Sequence, residues 1–137
     1  MNGMVEAAVG FAADPQGNGV AYVRVGDGGG SRVMRIPFTV RRFPALLGRE
    51  VGYAALTAVG AAMLHRGFER VHLCVDDTRL AGDLQEHRDV PAALTLAYVR
   101  LRCALNQFRE YGIAGSPQGE SDLTARARSE VAMHVAA

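Results

Sequence analysis

Two groups of side chains in this sequence have types and spacing that could do chemistry. One is a stretch without an acidic residue that carries five arginines: Arg32, Arg35, Arg41, Arg42 and Arg49. Guanidinium groups can neutralise the phosphates of a nucleic acid, and an ordinary solvated hairpin face would explain the same stretch equally well.

The second group is His72 and Cys74, which lie in the strongly β-like run Arg-Val-His-Leu-Cys-Val at residues 70–75. One residue separates them, so a strand would point both side chains to the same face. Imidazole and thiolate are zinc ligands, but two ligands do not make a metal site. We therefore interpret His72 as a packed strand histidine.

Acidic residues occur at the predicted ends of elements. Asp14 precedes Pro15 and is typical of a turn. Asp77 could cap a short helix that follows it. Glu50 and Asp122 each fall in the predicted first turn of a helix, where the helix dipole favours negative charge.

Composition predicts a single globular domain over residues 1–137. Hydrophobic residues make up 49% and charged residues 21% of the chain, which is ordinary for a protein that folds alone. The formal net charge is +1, so bulk electrostatics do not indicate a nucleic-acid partner. All fifteen basic residues are arginine, which is a hint about source and not about function.

The cysteines, the first residues and the apolar stretches indicate the cellular compartment and whether the chain contacts a membrane. Cys74 and Cys103 stand alone among apolar residues without CxxC spacing, which predicts buried free thiols in a reducing environment. The first residues lack the basic and apolar regions of a secretory signal. No apolar stretch approaches the length of a membrane span. We expect a cytoplasmic protein with no membrane partner.

The elements that must position these residues begin with three strands. Residues 5–13 and 20–25 form a predicted hairpin around Asp14 and the glycines after it, and a second turn leads to a strand over 33–40. Pro37 marks that third strand as an edge strand or a bulged one.

Helical periodicity then alternates with short β runs. A helix over about 51–63 ends near Gly67, and the strand over 70–75 has the look of a buried central strand. A short helix near 80–84 precedes a longer one from Pro91 to Phe108. A last short strand at 111–114 and a helix over 122–135 complete the order β-β-β-α-β-α-α-β-α.

This order, together with several strings, resembles type 1 ribonuclease H over nearly the whole chain. The Gly-rich hairpin after the first strand is similar to residues 17–19, Gly-Asn-Gly. The family's Glu-Tyr-x-Ala-Leu string is similar to residues 52–56, Gly-Tyr-Ala-Ala-Leu. The end of the family's fourth strand is similar to residues 75–80, Val-Asp-Asp-Thr-Arg-Leu. The start of its last helix is similar to residues 121–127, Ser-Asp-Leu-Thr-Ala-Arg-Ala. The resemblance implies a mixed α/β fold with five strands in the order three-two-one-four-five.

The resemblance also implies cleavage of the RNA strand of an RNA/DNA hybrid by two Mg²⁺ or Mn²⁺ ions. Four carboxylates hold the ions, one each from strand one, the first helix, strand four and the last helix. Oxygen ligands suit these cations, and two ions about 4 Å apart orient the attacking water and stabilise the leaving oxygen. No histidine stands in the loop before the last helix, where many members of the family place one.

Only two of the four carboxylates are matched. Asp76 matches strand four, with Asp77 as a rival, and Asp122 matches the last helix. Gly52 stands where the first helix should supply Glu. Glu50 is two residues away, or about 200° around a helix, and so faces elsewhere unless that turn is irregular.

Strand one has the same gap, because residues 10–13 are Gly-Phe-Ala-Ala and Asp14 belongs to the turn. We therefore predict a ribonuclease H-like domain that has lost catalysis and binds nucleic acid, such as an RNA/DNA hybrid, or a protein, with no cofactor. The alternative is an active or altered endoribonuclease that uses Asp76 and Asp122 with Mg²⁺ or Mn²⁺ and recruits Glu50 or Asp14.

Overall fold

The computed structural model describes residues 3–26, 30–40, 48–85, 92–115 and 122–136. Its strands are β1 (Val5–Ala13), β2 (Asn18–Gly26), β3 (Ser31–Thr39), β4 (Arg70–Val75) and β5 (Glu110–Gly115). Its helices are α1 (Gly48–His65), α2 (Thr78–Gln85), α3 (Thr95–Leu105) and α4 (Asp122–Ala136), with a short 3₁₀ turn over Ala92–Leu94 before α3.

The five strands form one mixed sheet in the order β3-β2-β1-β4-β5, which confirms the predicted order. The first three strands are antiparallel, whereas β4 runs parallel to both β1 and β5. The carboxyl end of β4 therefore lies beside the middle of β1, where Val75 pairs with Val9. Pro37 lies in the edge strand β3, where a missing N–H costs no ladder hydrogen bond.

Helices cover the two faces of the sheet unequally. On one face the core contains Val9 and Val23 with Tyr53 and Leu56 of α1 and Leu101 of α3. On the other face α4 packs a smaller apolar cluster onto β1 and β2: Val20, Tyr22, Leu123 and Ala127, with Ala8 and Ala12 beside them. Small residues on this face of β1 allow α4 to approach closely.

Two connections confirm the sequence interpretation in detail. The Asp14 carboxylate accepts hydrogen bonds from the N–H groups of Gln16 and Asn18, both at 2.9 Å, and so closes the β1–β2 turn. Helix α1 ends where Gly67 adopts a φ of 91° and the Phe68 N–H donates to the Met63 carbonyl. Glycine adopts this left-handed conformation without steric cost.

The long helix of the second half is shorter than its periodicity predicts. Helix α3 ends at Leu105, and the Phe108 N–H donates to the Leu105 carbonyl in a tight turn. This turn carries Phe108 back into the core as a buried residue. Phe108 continues the apolar pattern because it is buried after the helix has ended. The predicted extension of the helix to Phe108 is therefore wrong. The predicted start at Pro91 lies outside the described residues.

The two cysteines are free but not both buried. Cys103 is exposed, because it stands two residues from the buried Leu101 and so on the opposite side of α3. Cys74 is half-buried on β4. Within the described ranges, no helix combines the length and apolar character needed to cross a membrane.

Candidate functional site

The carboxyl end of β4 presents Asp76 to the last helix. The Thr124 hydroxyl, in the first turn of α4, donates a hydrogen bond of 2.6 Å to the Asp76 carboxylate. Thr124 is buried and Asp76 is half-buried. Asp76 is thus held by a neutral hydroxyl from the helix that, by the resemblance, carries a carboxylate.

The neighbouring Asp77 has a structural role. Its carboxylate accepts the Leu80 N–H at 3.1 Å, which caps the amino end of α2 as the sequence suggested. A carboxylate held as a helix cap is oriented toward backbone N–H groups. Of the two adjacent acids, Asp76 therefore accepts a hydrogen bond from α4, whereas Asp77 caps α2.

Gly10 lies beside Asp76 on the neighbouring strand. Val9 of β1 pairs with Val75 of β4, so Gly10 and Asp76 are the next residues along two parallel strands. A Cβ atom built on Gly10 would lie 2.2 Å from the Thr124 nitrogen and 2.5 Å from the Leu123 carbonyl carbon. The backbone of α4 fills the place where a strand-one carboxylate would project.

Gly52 is closed in by apolar side chains. A Cβ atom at this position would lie 2.8 Å from Leu80 Cδ2 and 3.4 Å from Phe11 Cζ. Both contacts are with hydrocarbon, so the first-helix position that the resemblance assigns to Glu is occupied by the packing of α2 and β1 against α1. No cation-binding oxygen comes from either glycine.

Glu50 lies in a different pocket from Asp77. It lines a groove of about 380 Å³ between β3, α1 and α3, together with residues that include Phe38, Thr57, Leu96 and Arg100. A separate shallow pocket beside Asp77 is lined by Phe11, Ala12, Ala13, Val51, Arg128, Val131 and Ala132. Glu50 and Gly52 are two positions apart on a regular helix, which is a rotation of about 200° around its axis, so the two residues face different surroundings.

Burial makes the Glu50 carboxyl unusual. Its exposure is 5%, and no hydrogen-bond partner for its Oε2 atom is found among the described residues. Burial raises the pKa of Glu50, because removal from water disfavours the carboxylate. The folded protein therefore binds the Glu50 proton more tightly than the unfolded chain does.

This difference predicts a pH dependence of stability. The contribution of the Glu50 proton to the free energy of unfolding is fully present below the unfolded-chain pKa of about 4.3. It is lost as pH rises through the raised pKa of Glu50 in the folded protein. Glu50→Gln should remove this loss, so the variant should gain stability relative to the wild type as pH rises. Urea unfolding across a pH series measures the difference. Glu110→Gln, at an exposed position on β5, is the control, and parallel profiles for wild type and Glu50→Gln would contradict the prediction.

Asp122 is engaged by an arginine at the start of α4. Arg24 of β2 donates two hydrogen bonds to its carboxylate, at 3.2 and 2.5 Å, and the Asp122 side chain is 68% exposed. The Arg24 hydrogen bonds lower the pKa of Asp122. Both Asp122 oxygens are directed to a guanidinium group.

The arginines singled out from the sequence do not share one face. Arg32 and Arg35 are both exposed on β3, but they are three positions apart along the strand, so they project to opposite faces. Arg35 donates to both oxygens of Glu130 on α4, the shortest contact being 2.6 Å. Arg49 is half-buried in the first turn of α1. Arg41 and Arg42 lie outside the described residues.

Glu130 also fastens α4 to the sheet through the buried Tyr22, whose hydroxyl donates to the same carboxylate. This hydrogen bond and burial raise the pKa of Tyr22. Arg126 lies over the Tyr22 ring at 4.5 Å from its centroid. An arginine–carboxylate pair, a tyrosine–carboxylate hydrogen bond and a cation–π contact therefore hold α4 onto β2 and β3.

Sequence reasoning missed Thr124 and Glu6. Thr124 belongs to the matched string at the start of α4, but Asp122, two positions earlier, was chosen as the functional residue of that string because it is acidic. Glu6 contacts His72 on the neighbouring strand at 3.1 Å. Only the β1–β4 register brings these two residues together, and no local pattern encodes it.

Comparison with known proteins defines the fold. No family model and no curated protein matches the sequence. Ribonuclease H1 from the halophilic archaeon Halobacterium salinarum NRC-1 is similar in structure, with a TM-score of 0.72 and 23% identity over 96% of this chain and 99% of that one. The N-terminal ribonuclease H domain of a Mycobacterium tuberculosis protein gives a TM-score of 0.68 and 14% identity, over 91% and 95% of the two chains. The ribonuclease H-like fold predicted from the sequence is confirmed.

Proposed function

We propose that this ribonuclease H-like domain, spanning residues 1–137, binds an RNA/DNA hybrid without cleaving it. The observation that carries the absence of cleavage is the contact of α4 with Gly10, which with Ala12 is one of the two strand-one positions where the carboxylate is expected; a Cβ atom on Gly10 would lie 2.2 Å from the Thr124 nitrogen. A carboxylate cannot enter this position without displacing the helix. The centre that would hold the catalytic cations is packed with protein.

The residues around Asp76 do not fit a pair of Mg²⁺ or Mn²⁺ ions. These cations need several oxygen ligands, most of them charged or strongly polar. Thr124 donates to Asp76, and Arg24 engages both oxygens of Asp122. Hydrophobic atoms and backbone surround Gly10 and Gly52. We therefore propose no catalytic step through a divalent cation.

Support for nucleic-acid binding comes from the fold and from cationic side chains near the closed centre. Two of the similar solved structures are ribonuclease H proteins by name. Arg128 lines the shallow pocket beside Asp77, and Arg126 lies over Tyr22 on the same helix. Arginine binds phosphates through planar, bidentate hydrogen bonds.

Hybrid binding tests this proposal. Fluorescence anisotropy of a labelled RNA/DNA hybrid, titrated with protein without divalent cations, should give an association constant that falls linearly with salt on logarithmic axes. Arg128→Ala, at an exposed position on α4, should weaken binding regardless of base sequence and reduce the salt slope by about one. Each such contact replaces condensed counterions on the nucleic acid, which causes the salt dependence.

Arg109→Ala provides the matched control. Arg109 is also exposed, but it pairs with Glu69 at the amino ends of β4 and β5, away from Asp76. Its removal should leave the affinity and the slope unchanged. No binding to the hybrid at low salt would contradict the proposal and would favour the alternative of a protein-binding domain.

A further inference from the structure

Three side chains with metal-binding atoms meet on the face of the sheet that carries α4. Glu6 of β1 pairs in register with His72 of β4, and Cys74 follows His72 by two residues on the same strand. Residues alternate between the faces of a strand, so His72 and Cys74 point the same way while Leu73 is buried in the main core. We call these residues the Glu6–His72–Cys74 cluster.

The ligand atoms of this cluster lie close together. The His72 Nδ1 atom is 3.1 Å from Glu6 Oε2, and the Cys74 Sγ atom is 3.6 Å from each of these two atoms. A tetrahedral zinc centre has bonds of about 2.0–2.2 Å to nitrogen and oxygen and about 2.3 Å to sulfur. Such bonds separate nitrogen from oxygen by about 3.4 Å, and sulfur from either by about 3.6 Å. The cluster forms one triangular face of that tetrahedron.

We propose that the Glu6–His72–Cys74 cluster binds one Zn²⁺ ion through Glu6 Oε2, His72 Nδ1 and Cys74 Sγ. Three protein ligands leave the fourth coordination position open to water or to an external ligand. The Glu6 side chain is 67% exposed and that of His72 is 33% exposed, so an ion can enter from solvent. The thiol proton is released to solvent when the sulfur–zinc bond forms.

The same atoms do not fit a cysteine nucleophile with a histidine base. In such a relay one imidazole nitrogen takes the thiol proton while the other donates to a carboxylate. Here the sulfur and the Glu6 oxygen both approach His72 Nδ1. Burial and the charge of Glu6 raise the pKa of Cys74, whereas a reactive cysteine requires a lowered one. Convergence of three ligand atoms suits a cation instead.

The neighbouring strand makes room for the imidazole ligand. A Cβ atom on Gly112 of β5 would lie 2.9 Å from His72 Cδ2. Since His72 pairs in register with Gly112, the absence of a side chain at that position lets the ring lie over β5. The ring is thereby placed beside Cys74 and Glu6.

This site differs in chemistry from the Mg²⁺ centre implied by the resemblance. A thiolate and an imidazole favour Zn²⁺ over Mg²⁺, which prefers oxygen ligands. None of the three ligands belongs to the set matched to Asp76 and Asp122. Zinc binding therefore stands independently of hybrid binding, and failure of either experiment leaves the other proposal in place.

Metal titration of the purified, metal-free protein tests the site. Calorimetry should show one equivalent of Zn²⁺ bound in the presence of excess Mg²⁺, and Co²⁺ should give visible bands of a tetrahedral centre with a thiolate-to-metal charge-transfer band. Cys74→Ala should abolish that band. Glu6→Gln should weaken Zn²⁺ binding by more than the roughly 10–100-fold that loss of an outer-shell partner costs.

Cys103→Ala is the matched control, since Cys103 is a free and exposed thiol on α3. It should bind Zn²⁺ and Co²⁺ as the wild type does. The Glu6→Gln substitution conserves shape at an exposed position, so its fold should persist, and circular dichroism checks every variant. The proposal is overturned by a wild type without saturable Zn²⁺ binding, or by wild-type affinity in either Cys74→Ala or Glu6→Gln.

Discussion

Gly10→Ala is expected to lower the free energy of unfolding by about 1–3 kcal/mol or more, the usual cost of forcing extra volume into a packed region. The added methyl carbon would lie 2.2 Å from the Thr124 nitrogen and 2.8 Å from Leu123 Cβ. Two of the atoms that it would strike are backbone atoms of α4, so no side-chain rotation can relieve the contact. The helix must move away from β1. Urea unfolding monitored by circular dichroism measures the change.

Gly26→Ala is the matched control for this substitution. Gly26 is also in a strand, at the end of β2, and a Cβ atom there would meet nothing within 4 Å. Its stability should stay close to that of the wild type. Equal stability of Gly10→Ala and Gly26→Ala would show that α4 does not close the space beside Asp76.

The fold was predictable because its signals are local and agree with one another. Asp14 supplies turn chemistry, Pro37 indicates an edge strand, and Gly67 permits the left-handed end of α1. Each depends on backbone geometry within a few residues. Phe108 misled the helix prediction because a buried apolar residue at helical spacing need not belong to the helix.

The site was less predictable, because its decisive contacts join residues far apart in the chain. The string around Asp76 predicted where the strand ends, but the Thr124 hydroxyl that donates to Asp76 lies 48 residues later in the chain. Glu6 and His72 are 66 residues apart and meet only through the parallel register of β1 and β4. Periodicity assigns a residue to a face, whereas register decides its neighbour.

Gly52, where the first helix should supply Glu, and Gly10, which with Ala12 is one of two candidate positions for the strand-one carboxylate, have a common physical explanation. Gly10 allows the backbone of α4 to rest on β1, and Gly52 allows Leu80 and Phe11 to pack against α1. Carboxylates at these positions would be buried charges without cations, which is costly. Their absence therefore accompanies the packing of α4 onto β1 and of α2 against α1.

Loss of catalysis is the second large effect expected. Two-metal hydrolysis depends on both cations to position water and stabilise the leaving oxygen. With Asp76 hydrogen-bonded to Thr124 and Asp122 engaged by Arg24, the residues that the structure describes offer no pair of cation sites at this position. The rate of hybrid cleavage should equal that of buffer alone.

The most direct measurement is incubation of a labelled RNA/DNA hybrid with the purified protein in Mg²⁺ and, separately, in Mn²⁺. An active ribonuclease H serves as the positive control, and Asp76→Asn distinguishes intrinsic activity from a contaminating nuclease. The account predicts intact RNA with both cations for wild type and variant alike. Robust cleavage by the wild type that Asp76→Asn abolishes would contradict it.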